Sequence, residues 1–331
     1  MKRIRMGILG AGNIANSMAE AMKGLSDRVI PYGVASRSLD KAETFASRWG
    51  FEKAYGSYEE LVEDPEIDLI YVATPHSHHF AHATLCVEHG KPVLVEKAFT
   101  GNMRQAEQLI RLAREKKILV AEAIWTRYMP AGNIVSSLLE SGAIGEPKTL
   151  KAEFSVPLTH VQRLWDPALA GGALLDLGIY ALTFASMYFG DDIVSVESVC
   201  EKYETGVDAA DEIQYTYRDG KKAYLRTSFI DGPVNEGTIY GTKGYLHIPV
   251  LNNYTAIRRY DNAGNLMEEY PIPKQINGYE YELLACLDAL QKGQLECMDM
   301  PHFETLEMMR QMDALRREWG VVYPFDKYIN E

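Results

Sequence analysis

Lys97 closes the apolar run Val93-Leu94-Val95-Glu96 and is followed by Ala98-Phe99. A lysine at the carboxyl end of a strand can hold a substrate hydroxyl and relay its proton; a surface lysine at a strand terminus reads the same on this segment alone. Asp176 and Tyr180 lie four residues apart in Gly171-Gly172-Ala173-Leu174-Leu175-Asp176-Leu177-Gly178-Ile179-Tyr180, a spacing that places both on one helix face. An aspartate among leucines and alanines is costly to bury without a partner. A phenol beside it can donate to, or accept from, a reacting oxygen; a helix-start acid and a core tyrosine are the plainer alternative. Five of the eight histidines fall between His76 and His89. His78 and His82 could share a helix face, but no acidic residue or cysteine beside them completes a ligand set, so no metal is expected. The stretch reads instead as a cofactor-lining loop, Thr74-Pro75, running into a helix start.

A glycine turn must position such groups against a cofactor. Gly10-Ala11-Gly12-Asn13-Ile14-Ala15 is G-x-G-x-x-A, entered from an apolar run and followed by a helical pattern with Ile14, Met18, Ala19 and Met22 on one face and Gly24 as its stop. Gly10 permits the tight turn, Gly12 lets the backbone approach a pyrophosphate, and Ala15 lets helix and strand pack closely. The N–H groups and dipole of the helix start then face the phosphates.

The remaining elements follow from periodicity. Strands are predicted at Ile4–Leu9, Val29–Ser36, Leu69–Ala73, Val93–Glu96 and Ile118–Ala121. Ser57 with Glu60 and Asn102 with Gln105 form capping boxes, and Gly50 and Gly90 sit where helices end. Such alternation builds a doubly wound parallel sheet with ligands at the carboxyl ends of its strands. Residues 1–122 are therefore read as an α/β dinucleotide-binding domain. Residues 123–331 form an α+β domain. Helices are expected at Pro130–Glu140, Ala173–Tyr188, Tyr279–Lys292 and Phe303–Trp319. Strands are expected at Lys148–Val156, Val194–Cys200, Glu212–Tyr217, Ala223–Phe229, Thr238–Tyr240, Tyr245–Ile248 and Ala256–Tyr260, with Asp219-Gly220 as a hairpin.

After the second strand the chain reads Ala35-Ser36-Arg37, where NAD-preferring sites usually carry an acid. Ser36 and Arg37 can donate to a 2′-phosphate that an acid would repel, so NADP is expected over NAD.

Composition sets outer bounds. The 331 residues are 47% hydrophobic and 24% charged, as in an ordinary globular protein, and the net charge of −12 argues against non-specific nucleic-acid binding. No apolar run is read as approaching a membrane span of about 20 residues. No apolar core precedes the glycine turn, so a cleaved signal peptide is not expected and the protein is placed in the cytoplasm. The four cysteines form no C-x-x-C and read as isolated thiols.

In order and spacing, Gly10–Ala15, Ala73-Thr74-Pro75 with His79, Glu96-Lys97, Glu122-Ala123-Ile124-Trp125-Thr126-Arg127 and Gly171–Tyr180 resemble the glucose–fructose oxidoreductase / inositol dehydrogenase / MocA-like family, most of all its dihydrodiol and xylose dehydrogenase branch. The resemblance covers essentially the whole chain. It implies a Rossmann domain followed by an α+β domain whose open, mostly antiparallel sheet forms a homodimer interface. It also implies a sugar, polyol or cyclic diol substrate and hydride transfer to NADP or NAD. Lys97, Asp176 and Tyr180 become the catalytic set. Gly10, Gly12, Asn13, Ile14, Ser36, Arg37, Thr74, Pro75, His79, Glu96, Lys97, Trp125 and Arg127 become cofactor residues, and Trp125, Phe154, Asp176 and Tyr180 substrate residues. Tyr180 stands where many sugar-oxidising members have histidine. Ala98 stands where the family usually has a proline, often after a cis bond, which leaves the geometry at Lys97 open. The same family contains nicotinamide-dependent glycosidases that oxidise transiently and eliminate; a non-catalytic cofactor-binding regulator is a second alternative.

Overall fold

The structure, a computed structural model, describes residues 3–326; the outermost ends of the two predicted domain ranges, 1–2 and 327–331, lie outside them. The chain divides into two compact units. One runs to Tyr128 and takes up Gln275–Arg310 as well. The other comprises Met129–Lys274 and the segment from Gln311 onward.

In the first unit, β1 (Ile4–Leu9), β2 (Val29–Ala35), β3 (Lys53–Tyr55), β4 (Leu69–Val72), β5 (Val93–Glu96) and β6 (Val120–Ala123) form one sheet in the order β3-β2-β1-β4-β5-β6. All its pairings are parallel. Helices α1 (Asn13–Gly24), α2 (Leu39–Trp49), α3 (Tyr58–Glu63), α4 (His76–Glu88) and α5 (Met103–Lys116) alternate with the strands. Every residue of β4 and β5 is buried, the burial a sheet acquires when both faces are covered. Ser38, Ser57 and Asn102 accept hydrogen bonds from the backbone N–H three residues on, starting α2, α3 and α5. Gly50 ends α2 in the left-handed conformation, φ 78°. Gly24 does not stop α1; the cap is Leu25, whose N–H reaches Ala21 O and Met22 O.

Two elements differ from the periodicity. β3 is a three-residue edge strand, too short to show alternation. β6 starts two residues late because Lys117 takes a left-handed cap and Ile118 N–H returns to Ala113 O, leaving residues 118–119 to the connection.

The second unit holds an eight-stranded sheet built from β7 (Pro147–Ser155), β8 (Ile193–Lys202), β9 (Asp208–Tyr217), β10 (Lys222–Ser228), β11 (Val234–Gly241), β12 (Gly244–Ile248), β13 (Ile257–Tyr260) and β14 (Leu266–Tyr270). Its order is β14-β13-β12-β11-β7-β10-β9-β8. Only β7 and β10 pair in parallel; the rest are antiparallel. The hairpin at Asp219-Gly220 joins β9 to β10, with Gly220 at φ 86°. β14 escapes the periodicity because it is a largely exposed edge strand, its Glu268 and Glu269 opposite Arg259 and Arg258.

Helices α6 (Pro130–Glu140), α7 (Gln162–Trp165) and α8 (Ile179–Phe189) accompany the sheet. The helix read as one piece over Ala173–Tyr188 instead begins as a π-helical turn, Leu174–Gly178, before α8. Pro167–Phe189 matches a membrane span in length and apolarity, contrary to the sequence reading. Its apolar window is 89% buried, so it is a core element of this unit.

The closing helices are α9 (Tyr279–Lys292) and α10 (His302–Trp319). The single boundary after residue 122 differs from the observed division because α9 packs on α1. Asn277 Nδ2 donates to Ser17 O at 2.9 Å, and Gly24 leaves the room that Ile276 occupies. Cys286 and Cys297, read as isolated, touch at 3.7 Å as buried free thiols because the segment after α9 folds back onto it.

Candidate active site

The residues expected to carry chemistry fall into two groups, one on each unit. In the first unit, the strand order reverses between β1 and β4, and the glycine turn leaves β1 at that switch point. Gly10 has φ 107°, and a side chain there would come within 2.8 Å of Ala73 O. Gly12 is the N-cap of α1 and makes no side-chain cap. Among the described residues outside its own helix start, a methyl on it would approach only Ala73 O, 3.8 Å away. With no acid in the first turn of α1, its N–H groups and dipole are left to an anion. The residues therefore fit a dinucleotide pyrophosphate. Asn13 and Ile14 form the first turn itself.

Ser36 lies at the end of β2, buried, and exposed Arg37 follows it. Arg37 acts electrostatically on Tyr58, His78 and His82. His82 stacks with His78 at 5.5 Å and meets Tyr58 edge-on at 4.6 Å. Its Nδ1 lies 3.0 Å from Thr74 Oγ1. Burial and the neighbouring charges hold His82 neutral, its pKa down at about 4. Pro75 is the N-cap of α4.

The loop bearing Lys97 is anchored through its backbone. The Lys97–Ala98 peptide is cis. His79 Nδ1 lies 2.8 Å from Ala98 O and its Nε2 2.7 Å from Thr74 O. Burial lowers the His79 pKa to about 4, so the ring is neutral and its one N–H serves one of the two carbonyls. Read as a cofactor residue, His79 is wholly buried and acts as a strut between the end of β4 and the Lys97 loop. Phe99 N–H donates to Glu122 Oε1 at 3.2 Å, and Lys97 N–H to Glu96 Oε2 at 3.1 Å. Tyr71 Oη donates to Glu96 Oε1.

Arg127, expected at the cofactor, is held within its own unit by Glu304 at 2.7 Å and by Asp299 O at 3.1 Å. Trp125 packs its ring 4.2 Å from Tyr279, and its buried Nε1–H meets no acceptor among the described residues.

Burial pushes Glu122 up to about 7, opposed by Thr305 and the Phe99 N–H. A carboxyl raised above its unfolded value of about 4.3 makes no stability cost at low pH. The cost grows as pH rises from there through about 7. Glu122→Gln keeps the acceptor for Phe99, so its urea midpoint should exceed the parent's at about pH 8 and match it near pH 4. An equal difference at both pH values would sink this assignment.

In the second unit, Asp176 lies in the π-helical turn and Tyr180 in the first turn of α8, both buried. Arg163 of α7 grips Asp176 with both terminal guanidinium nitrogens, at 2.9 and 3.1 Å. Phe154 of β7 sits 5.6 Å from the Tyr180 ring. Arg163 carries no signal of this role in the sequence: nothing in Gln162-Arg163-Leu164-Trp165 links it to a carboxylate thirteen residues on. A π-helical turn widens the helix locally and often marks a functional segment.

A glycine turn opening α1 at the switch point of a doubly wound sheet defines a dinucleotide-binding enzyme. The chain belongs to the GFO/IDH/MocA oxidoreductase family. The description "Oxidoreductase family, NAD-binding Rossmann fold" matches residues 4–123, and the GFO/IDH/MocA C-terminal domain matches residues 134–247. The protein is thus an oxidoreductase that works with a nicotinamide cofactor. It is 34% identical to a trans-1,2-dihydrobenzene-1,2-diol dehydrogenase of Bos taurus over 98% of this chain and 99% of that one. The Homo sapiens enzyme of the same name is also 34% identical, with the same coverage. Among solved structures, a 3-ketoreductase from Actinomadura kijaniata in complex with NADP and TDP-benzene has TM-score 0.87 and 25% identity. That match covers 96% of this chain and 98% of the other. A levoglucosan dehydrogenase with NADH and levoglucosan shares the fold at TM-score 0.85 and 16% identity, over 96% and 97% of the two chains.

Proposed function

We propose that this protein transfers a hydride between NADP and a secondary alcohol of a sugar, polyol or cyclic diol. The observation that carries the reading is one helix start in the second unit bearing both a carboxylate fixed by Arg163 and a phenol lying against Phe154. The names of the relatives, a diol dehydrogenase and a ketoreductase solved with NADP, support the substrate class.

When bound, the nicotinamide supplies the acceptor or donor of the hydride. In oxidation Tyr180 Oη takes the proton of the substrate hydroxyl. Lys97, at the end of β5, is assigned a proton-relay role in the same reaction. Asp176 holds the substrate in register and Phe154 gives it an apolar wall within the second unit, while Trp125 is assigned to substrate from the first. Ser36 and Arg37 favour NADP, since both can donate to a 2′-phosphate and no acid stands at the end of β2 to repel it. Homodimer formation through the second unit's sheet belongs to the same reading. It is supported by the open face that presents Lys151, Val199, Tyr224, Arg226 and Tyr240.

The test follows nicotinamide absorbance with NADP and NAD against aldoses, inositols and vicinal diols. Turnover favouring NADP is expected. Arg37→Ala should raise the KM for NADP about 10–100-fold, the worth of a charge-assisted hydrogen bond, and leave NAD kinetics unchanged. Silence across the panel with cofactor demonstrably bound would overturn the proposal.

A further inference from the structure

Asp208 and Asp211, both buried on β9, lie against each other beneath the segment that carries Asp176 and Tyr180. Asp208 Oδ2 accepts from Leu174 N–H at 2.6 Å. That N–H opens the π-helical turn, and the residue before it, Ala173, has no side chain able to cap it. Asp208 thus does from a neighbouring strand what an N-cap residue does from within a helix. Its other oxygen lies against Gly172, whose φ of 128° and lack of a side chain make room for it; a methyl at Gly172 would overlap Oδ1.

The carboxyl pair also explains itself chemically. Among the described residues neither Asp211 oxygen meets an N–H or O–H donor, the Cys200 thiol being the one weak donor beside it, and Asp208 Oδ1 meets none. Two carboxylates in contact do not both ionise when buried; one proton held by the pair supplies the missing donor. With that proton on Asp211, Asp208 remains the acceptor for Leu174. The segment that leads into the turn is held as well. Tyr323 Oη donates to Gly171 O at 2.6 Å, and Arg316 covers the Tyr323 ring at 4.4 Å.

We infer that Asp208 is a positioning residue: backed by Asp211, its carboxylate caps the π-helical turn and so holds Asp176 and Tyr180 in their working geometry. The inference rests on the reading that Asp176 and Tyr180 meet substrate, and two independent readouts separate the two claims. The first is hydrogen–deuterium exchange of the full-length protein over residues 171–180. The second is steady-state kinetics with NADP and the best substrate of the panel.

Asp208→Ala should speed exchange at 174–178 and lower kcat about 10–100-fold, as a misplacement of about 1 Å does. The Kd for NADP should not change. Asp208→Asn, which keeps an acceptor oxygen for Leu174, should restore both exchange protection and kcat. Asp211→Asn, which donates to Asp208 as a protonated Asp211 does, should behave like the parent. If the alanine variant does not fold, Asp208→Leu, close to the carboxyl in shape but without an acceptor, takes its place. Unchanged exchange in the Ala or Leu variant overturns the inference, as does an Asn variant as impaired as Ala. A fully active Asp208→Ala beside an inactive Tyr180→Phe overturns the inference alone. Full activity in both overturns the reading beneath it as well.

Discussion

Lys97→Ala will reduce turnover by about 10²–10⁴-fold, the usual worth of a positioned proton-transfer group, and leave NADP binding in place. The reason for expecting a chemical rather than a structural loss lies in how the loop is held. His79 reaches Ala98 O, Glu122 accepts from Phe99 N–H, and Glu96 accepts from Lys97 N–H. Each anchor acts on backbone, so truncating the lysine side chain at Cβ removes none of them. Lys97→Arg should not rescue, because a planar, always charged guanidinium is neither the same size nor able to relay a proton. Single-turnover absorbance at saturating NADP, with cofactor Kd from fluorescence quenching, separates the two effects. Turnover close to the parent's would remove Lys97 from the mechanism.

The second large effect is on stability. Arg316→Ala should cost about 3–5 kcal/mol in urea unfolding. Arg316 is wholly buried on α10, paired with Asp326 at 2.7 Å and Asp313 at 2.8 Å, and lies over the Tyr323 ring at 4.4 Å. The triad as a whole is expected to contribute little beyond what an apolar replacement would. Removing only the cation strands two carboxylates, and one of them, Asp326, is as buried as Arg316. Adding Asp326→Ala to the variant should therefore recover part of the loss. If Arg316→Ala costs less than about 1 kcal/mol, the acids find water that the native packing denies them.

The parallel sheet could be read from the sequence because its strands are continuous apolar runs separated by capped helices. The glycine turn could be read because its backbone demands are local. Asp176 and Tyr180 could be singled out by residue type and spacing as candidates, and both lie buried in one helical segment. What the sequence concealed was tertiary. Arg163 lies in a four-residue helix with no pattern of its own, and its partner is chosen by how the chain turns at Gly171-Gly172. The π-helical turn is invisible to a period of 3.6, and its cap comes from Asp208, thirty-four residues away on a strand. His79 and Arg127 match family positions in type. In the structure, however, His79 faces backbone carbonyls, and Arg127 faces Glu304.

The return of residues 275–310 to the first unit bears on how this protein is made. During synthesis the six parallel strands and α1 emerge first, yet the helix that covers α1 is not available until the second unit's eight strands have been translated. The nascent first unit must therefore wait with part of its apolar surface in water. A fragment ending at Tyr128 keeps that face uncovered, so the cofactor-binding half is not a self-contained unit when cut where its sheet ends.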